Sequence, residues 1–244
     1  MPTTRSSSSH PVGAPLPHWQ SAPKPAREVL LGQYCRLEPL DADRHGRQLY
    51  AAFTQSGDSV DWTYMYIGPF ADEASYLAYV RTVQDGDDPQ HFAIIDLASG
   101  QAIGTVASMR IDNANGVMEV GSVTYSDLLK RTITGTEVQY LLMRRAFDQL
   151  GYRRYEWKCD SLNAPSRAAA LRLGFTFEGI FRQMSVYKGR NRDTAWFSII
   201  DQEWPAIRSA MEQWLAPENF DAQGQQQRRL PDLIAQARQG SSAG

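Results

Sequence analysis

Residues 130–175 read KRTITGTEVQYLLMRRAFDQLGYRRYEWKCDSLNAPSRAAALRLGF. They lay a small polar loop, a helix, a strand, an Asn-containing turn and a second helix end to end. The basic pair Lys130-Arg131 is followed by hydroxyl residues and Gly135 at the mouth of a helix. Such a mouth attracts anions, because its first backbone N–H groups have no partner within the helix and the helix dipole adds positive potential there. The helix EVQYLLMRRAFDQLG carries apolar residues at 138, 141, 142 and 146, with Tyr140, Met143 and Phe147 widening the face. It is therefore expected to lie against a sheet, with Gly151 ending it. In RYEWKC, Tyr155, Trp157 and Cys159 fall on one strand face while Glu156 and Lys158 fall on the other. Asn163 and Ser166, with Pro165 between them, have the spacing that places both side chains at one helix start.

Upstream, YCRLEPL reads as a strand and DADRHGRQLYAAF as a helix capped by Asp41 or Asp43. The aromatic loop GDSVDWTYMYIGPF separates it from a second helix in DEASYLAYVRTVQ. HFAIIDL, QAIGTVASMRI and GVMEVGSVTY then read as an antiparallel meander with turns at Ser99-Gly100 and Asn115-Gly116. Downstream of the opening stretch come two strands around KGRN and an amphipathic helix in EWPAIRSAMEQWL. The pattern predicts one α/β domain over residues 28–216. Residues 1–27, rich in Ser and Pro, read as a flexible leader, and residues 217–244 as a polar tail whose short apolar patch PDLIAQA is compatible with one docked helical turn.

A chain of 244 residues, 42% hydrophobic and 11% aromatic, is ample for a core. A net charge of -2 and a pI near 6.1 give no electrostatic footprint for nucleic acid. The two cysteines, Cys35 and Cys159, lack CxxC spacing, so neither a disulfide framework nor a zinc site is expected, and a reducing compartment fits. No signal peptide or membrane span is expected, which makes the cytoplasm the predicted location. There is no GxxxxGK, HExxH or GxSxG motif, so phosphate-loop, zinc-hydrolase and serine-hydrolase chemistry lack support.

Three runs, EVGSVTYSDLLKRTITGTE, RRYEWKCDSLNAPSRAAALRLGFTFEGIFRQ and KGRNRDTAWFSIIDQEW, together resemble the GNAT superfamily of acyl-CoA-dependent N-acyltransferases, and within it the RimJ/RimL-like branch. The resemblance spans roughly residues 30 to 215. It implies a mixed, mostly antiparallel sheet flanked by helices, and acetyl transfer from acetyl-CoA to a primary amine, a protein N-terminus or a small molecule, without a metal.

The family's pyrophosphate loop, Q/R-x-x-G-x-G/A, aligns with Lys130, Arg131, Thr132, Ile133, Thr134 and Gly135, running into Thr136, with Ile133 where the first glycine is expected. The resemblance places Asn163 at the pantetheine arm and Ser166 at the thioester sulfur as donor to the departing thiolate. Ala170 stands where other relatives carry a Tyr acid. Backbone at Val120, Gly121 and Ser122 would face the acetyl carbonyl, and Gly121 suggests a bulge. Glu119, expected on one face with Val117 and Val123 if the strand is regular, is the candidate base. Asp61, Trp62, Tyr64 and Tyr66 are the acceptor-site candidates, although such aromatics serve equally as core. Asn163 is equally an N-cap and Glu119 equally a solvent-facing carboxylate. The competing expectation is an acyl-CoA-binding sensor without turnover, motivated by the absent glycine at position 133. A homodimer is compatible with the branch.

Overall fold

A computed structural model of the chain describes residues 4–5, 10–55, 57 and 59–241. Two short strands, β1 (Thr4–Arg5) and β2 (Pro11–Val12), pair with each other. The body is a sheet of eight further strands: β3 (Leu30–Leu31), β4 (Cys35–Pro39), β5 (Gln90–Asp96), β6 (Ala102–Asp112), β7 (Val117–Tyr125), β8 (Arg154–Asp160), β9 (Thr176–Tyr187) and β10 (Arg190–Ile200). Their spatial order is β3-β4-β5-β6-β7-β8-β10-β9. Every pairing is antiparallel except β7 with β8. That exception follows from chain geometry: a helix joins β7 to β8, and a crossover returns the chain in the same direction.

The crossover is α3 (Ile133–Arg144), which continues through a single π turn over Arg145–Gln149. It begins earlier than the apolar periodicity suggests, because Thr132 caps it by accepting a hydrogen bond from the Gly135 N–H at 3.1 Å. α1 (Ala42–Thr54) and α2 (Glu73–Val83) are capped by Asp41 and Asp72. Leu49, Phe53, Tyr76 and Val80 from these helices pack with Ala93, Ile95 and Ala102 of the sheet. The opposite face carries α3, α4 (Ala164–Arg172), α5 (Trp204–Leu215) and α6 (Leu230–Ser241), over a core that includes Met118, Val120, Tyr155, Trp157, Phe197 and Ile199.

Both ends differ from expectation. Around residues 19–26 the leader is docked: Trp19 Nε1 donates to Ala114 O at 3.0 Å, Gln90 Nε2 to Pro25 O at 2.8 Å and Tyr152 to Pro23 O at 3.2 Å. The deeply buried Arg145 donates to Ala26 O. A Pro-rich segment offers carbonyls with few competing N–H groups, which suits capture by side-chain donors. In the tail, α6 is a full helix whose Leu230, Leu233 and Ile234 are buried in the main core. Its apolar PDLIA patch, read as one turn, finds the groove left beside α5.

Candidate active site

The parallel pair β7 and β8 is in register from Val117↔Arg154 to Val120↔Trp157 and no further. β7 nevertheless runs on to Tyr125, held by β6, and β8 runs on to Asp160, held by β10. The two strands therefore part in the middle of the sheet. The cause lies in β7, where the register with β6 jumps between Thr105↔Thr124 and Ala107↔Gly121. Ser122 sits in this bulge with φ of 48°. At Gly121 beside it a Cβ would lie 2.1 Å from the Met109 sulfur, so a larger residue there would displace that flexible side chain. The bulge also switches faces: Val123 packs on the α3 side with Val120, not on the face of Glu119 as a regular strand would place it.

On the β7 side of the opening stands the mouth of α3. Ile133, at the position expected to be glycine, is the first helical residue, and the left-handed residue of this turn is Arg131, with φ of 60°. The turn thus needs no glycine at 133. Gly135 is small for a packing reason, as a Cβ would meet the Leu129 carbonyl at 2.8 Å. Arg131 is exposed, whereas the Lys130 ammonium is shared between Asp61 at 2.5 Å and Asp127 at 2.8 Å. Thr134 and Thr136 are buried, the latter accepting a bond from Arg172 at 3.1 Å.

On the β8 side, Asn163 caps α4, its Oδ1 accepting from the Ser166 N–H at 3.1 Å. The Ser166 hydroxyl accepts from Trp157 Nε1 at 3.0 Å. A hydroxyl fixed as an acceptor on one side has its own proton free to donate elsewhere. Burial raises the pKa of the adjoining Cys159 thiol, an effect that Ser166 and the nearby cations of Arg192 and Arg167 oppose.

Glu119 does not face solvent. It is 6% exposed, bonded by Lys158 Nζ at 2.7 Å, with Arg110 Nε at 3.3 Å. Lys158 also reaches Glu156 at 2.6 Å and lies 3.7 Å above the Trp196 ring. Burial raises the Glu119 pKa above the ordinary glutamate value, and the two cations only partly oppose it.

The loop between α1 and α2 bridges the opening. Tyr64 donates to Leu162 O at 3.2 Å, the Tyr66 hydroxyl bonds Ser185 Oγ at 2.9 Å, and Lys188 of the β9–β10 turn donates to Trp62 O at 2.7 Å. Asp61, Tyr64 and Tyr66 are thus at the opening. Trp62 is a core residue: its ring is 6% exposed and packs edge-on against Phe53 and Phe70. It also borders a small cavity of about 10 Å³, whose walls include His91, Thr105, Ser122 and Thr124. That is room for one water. Burial, with Arg27 adding to it, holds the His91 pKa down at about 4. His91 gave no signal in the sequence, because only the fold brings β5 beside the β7 bulge. Among the described residues, no cluster of His, Cys, Asp or Glu could hold a metal ion, and no helix is long and apolar enough to cross a membrane.

A split parallel pair with a helix mouth on one side and a capped helix start on the other defines a class, the acyl-CoA-dependent N-acetyltransferases. Residues 35–176 match the profile of the acetyltransferase (GNAT) domain, and the chain belongs to that family. Among solved structures, a GCN5-related N-acetyltransferase from Brucella melitensis shares 50% identity, with a TM-score of 0.89 over 90% of this chain and 100% of the other. A GNAT-family protein from Chromobacterium violaceum shares 41% identity, with a TM-score of 0.74 over 80% of this chain and 98% of the other. The N-acetyltransferase p20 of Bacillus licheniformis is 29% identical over 144 residues, 58% of this chain and 80% of that one. The fold is the GNAT fold, and the protein is an acetyltransferase.

Proposed function

We propose that the protein transfers an acetyl group from acetyl-CoA to a primary amine by direct attack in a ternary complex, as a RimJ/RimL-like member of its family. The observation that carries this reading is the parting of β7 and β8 at Val120 and Trp157, between the α3 mouth and Ser166. Acetyl-CoA supplies the thioester. Arg131 and the first-turn N–H groups of Ile133 and Thr134 would hold its pyrophosphate beside Gly135 and Thr136, with Thr132 fixing the turn through the Gly135 N–H and Lys130 fixing the loop through Asp61. The second polar position of Asn163, beside its capping oxygen, would meet the pantetheine arm. Backbone at Val120, Gly121 and Ser122 would polarise the acetyl carbonyl.

Glu119 takes the proton of the incoming ammonium, directly or through water, and its raised pKa makes it a better acceptor than an exposed carboxylate. Ser166, oriented by Trp157, donates to the sulfur as it leaves. Neither buried cysteine is activated, since burial raises both thiol pKa values, so no acyl-enzyme is needed. Buried free thiols suit a cytoplasmic location, and a homodimer would cover the exposed Phe181, Met184 and Val186 of edge strand β9.

The test is CoA release with a panel of amines beside thermal stabilisation by acetyl-CoA. Amine-dependent release is expected. Stabilisation without release from any amine would make the protein a sensor.

A further inference from the structure

Arg192, on the acceptor-facing side of β10, is only 8% exposed. Its Nε donates to Thr194 Oγ1 at 3.2 Å, and its guanidinium lies 4.9 Å from the centre of the Tyr66 ring and 5.8 Å from that of Tyr187. Among the described residues neither Nη atom has a hydrogen-bond acceptor, and no carboxylate lies within ion-pair distance. The other deeply buried arginine differs: Arg145 has the Ala26 carbonyl and Glu28 at 3.5 Å, and its Nε and Nη1 are sealed from solvent, so it offers nothing to a ligand. The Nη atoms are not among the buried polar atoms left without a partner, so the tips of the guanidinium reach solvent between the two tyrosine faces and no counter-charge of the chain occupies them. The arrangement holds a planar, two-pronged donor ready for an anion that the chain itself does not provide.

The surroundings place that anion on the acceptor side of the opening. The guanidinium lies against Tyr66 of the loop that bridges the opening, and Arg192 sits just beyond Thr194, the partner of Asp160 at the end of β8, so the cation stands at the acceptor side of the opening. Asp160, the residue with which β8 ends at that opening, is 4% exposed and is spoken for by Leu162 N–H and the Tyr187 hydroxyl, each at 2.8 Å. Tyr187 therefore holds Asp160 with its hydroxyl and faces Arg192 with its ring, so these two charges are not paired with each other. Tyr66, reaching over from the α1–α2 loop, closes the other face and bonds Ser185, the β9 partner of Arg192.

We propose that Arg192 receives a carboxylate of the acceptor, so that the substrate is a small amino acid-like molecule with a carboxylate adjacent to its amino group. The inference rests on the acetyltransferase reading above and narrows its substrate class. A peptide N-terminus offers only a neutral carbonyl at that position. A polyamine offers a second cation, which Arg192 repels.

The experiment compares matched acceptors that differ only at this group, such as phenylalanine, phenylalanine amide and phenethylamine, in the full-length protein and in Arg192→Gln. Wild type is expected to favour the acid by about 100-fold or more in kcat/KM, and the variant to bring the ratio to within a few-fold of unity. Arg192→Lys, which keeps the charge but loses the fork, should fall between them and serves if the glutamine variant does not fold. A direct binding measurement runs in parallel: N-acetylphenylalanine titrated onto the CoA-bound protein should bind wild type and not the variant. Equal rates for acid and amide in wild type, an unchanged ratio in both variants, or binding of the acetylated acid that survives in both would each overturn the proposal while leaving acetyl transfer intact. Failure of wild type to bind acetyl-CoA would instead overturn the acetyltransferase reading.

Discussion

Replacing Lys158 by Met tests whether the proposed base is governed by the buried charge network around it. The ammonium holds Glu119 at 2.7 Å and Glu156 at 2.6 Å, and all three side chains are less than a tenth exposed. The two carboxylates belong to residues directly paired across β7 and β8, so removal of the cation leaves them facing each other. Met fills similar volume against the Trp196 ring, which confines the loss to charge. Breaking a buried pair and stranding its partner costs about 3–5 kcal/mol. In a domain of this size that lowers Tm by roughly 6–20 °C.

The pH dependence gives the sharper signature. Without Lys158, Glu119 loses the main cation that opposes its burial, so its folded-state pKa stands further above its unfolded value. The native state then binds more protons, and stability falls as pH rises through the interval from the ordinary glutamate value up to the raised folded value. Urea unfolding of the variant between pH 5 and pH 8 should therefore show a deficit that shrinks toward pH 5, by up to about 1.4 kcal/mol per pH unit for each proton taken up. Adding Glu119→Gln to the Lys158→Met protein should recover part of the loss at pH 8. In the wild-type background Glu119→Gln leaves Lys158 paired to Glu156, so it should cost little stability while lowering turnover roughly 10²-fold. A deficit under about 1 kcal/mol, or one flat across this pH range, would refute the reasoning.

Ser166→Ala should lower kcat by about 10-fold or more with acetyl-CoA affinity held within a few-fold, and Trp157→Phe, which removes the indole N–H holding that hydroxyl at 3.0 Å, should move turnover in the same direction; lost affinity at unchanged kcat in a calorimetric and steady-state comparison would reduce Ser166 to a helix-start residue. Deleting residues 1–28 removes the carbonyls that Gln90, Tyr152 and Arg145 bind, so thermal unfolding of the truncated chain should occur several degrees lower, and an unchanged Tm would show that water replaces the leader at those donors.

Periodicity made the element order legible, because strand alternation and helical spacing act within a dozen residues. The helix mouth was legible for the same reason: Thr132 and Gly135 are three residues apart, and capping is local. Partnerships across the sheet were not. Lys130 meets Asp61 across 69 positions, and Lys158 meets Glu119 across 39. Trp62 shows the effect of that distance, since an aromatic in a Gly- and Pro-punctuated loop reads equally as acceptor site or core, and only the packing of Phe53 and Phe70 around it decides for core.

The alternation in RYEWKC correctly separates Glu156 and Lys158 from the core-facing Tyr155 and Trp157, yet a non-core face is not a wet one. On this face three neighbouring strands contribute Glu119, Glu156 with Lys158, and Trp196. The packed row excludes water, which is what raises the Glu119 pKa while Lys158 and Arg110 oppose the rise. Strand pattern therefore picks out the carboxylate proposed as the base, and the side chains that β8 and β10 bring onto its face set how far it is desolvated.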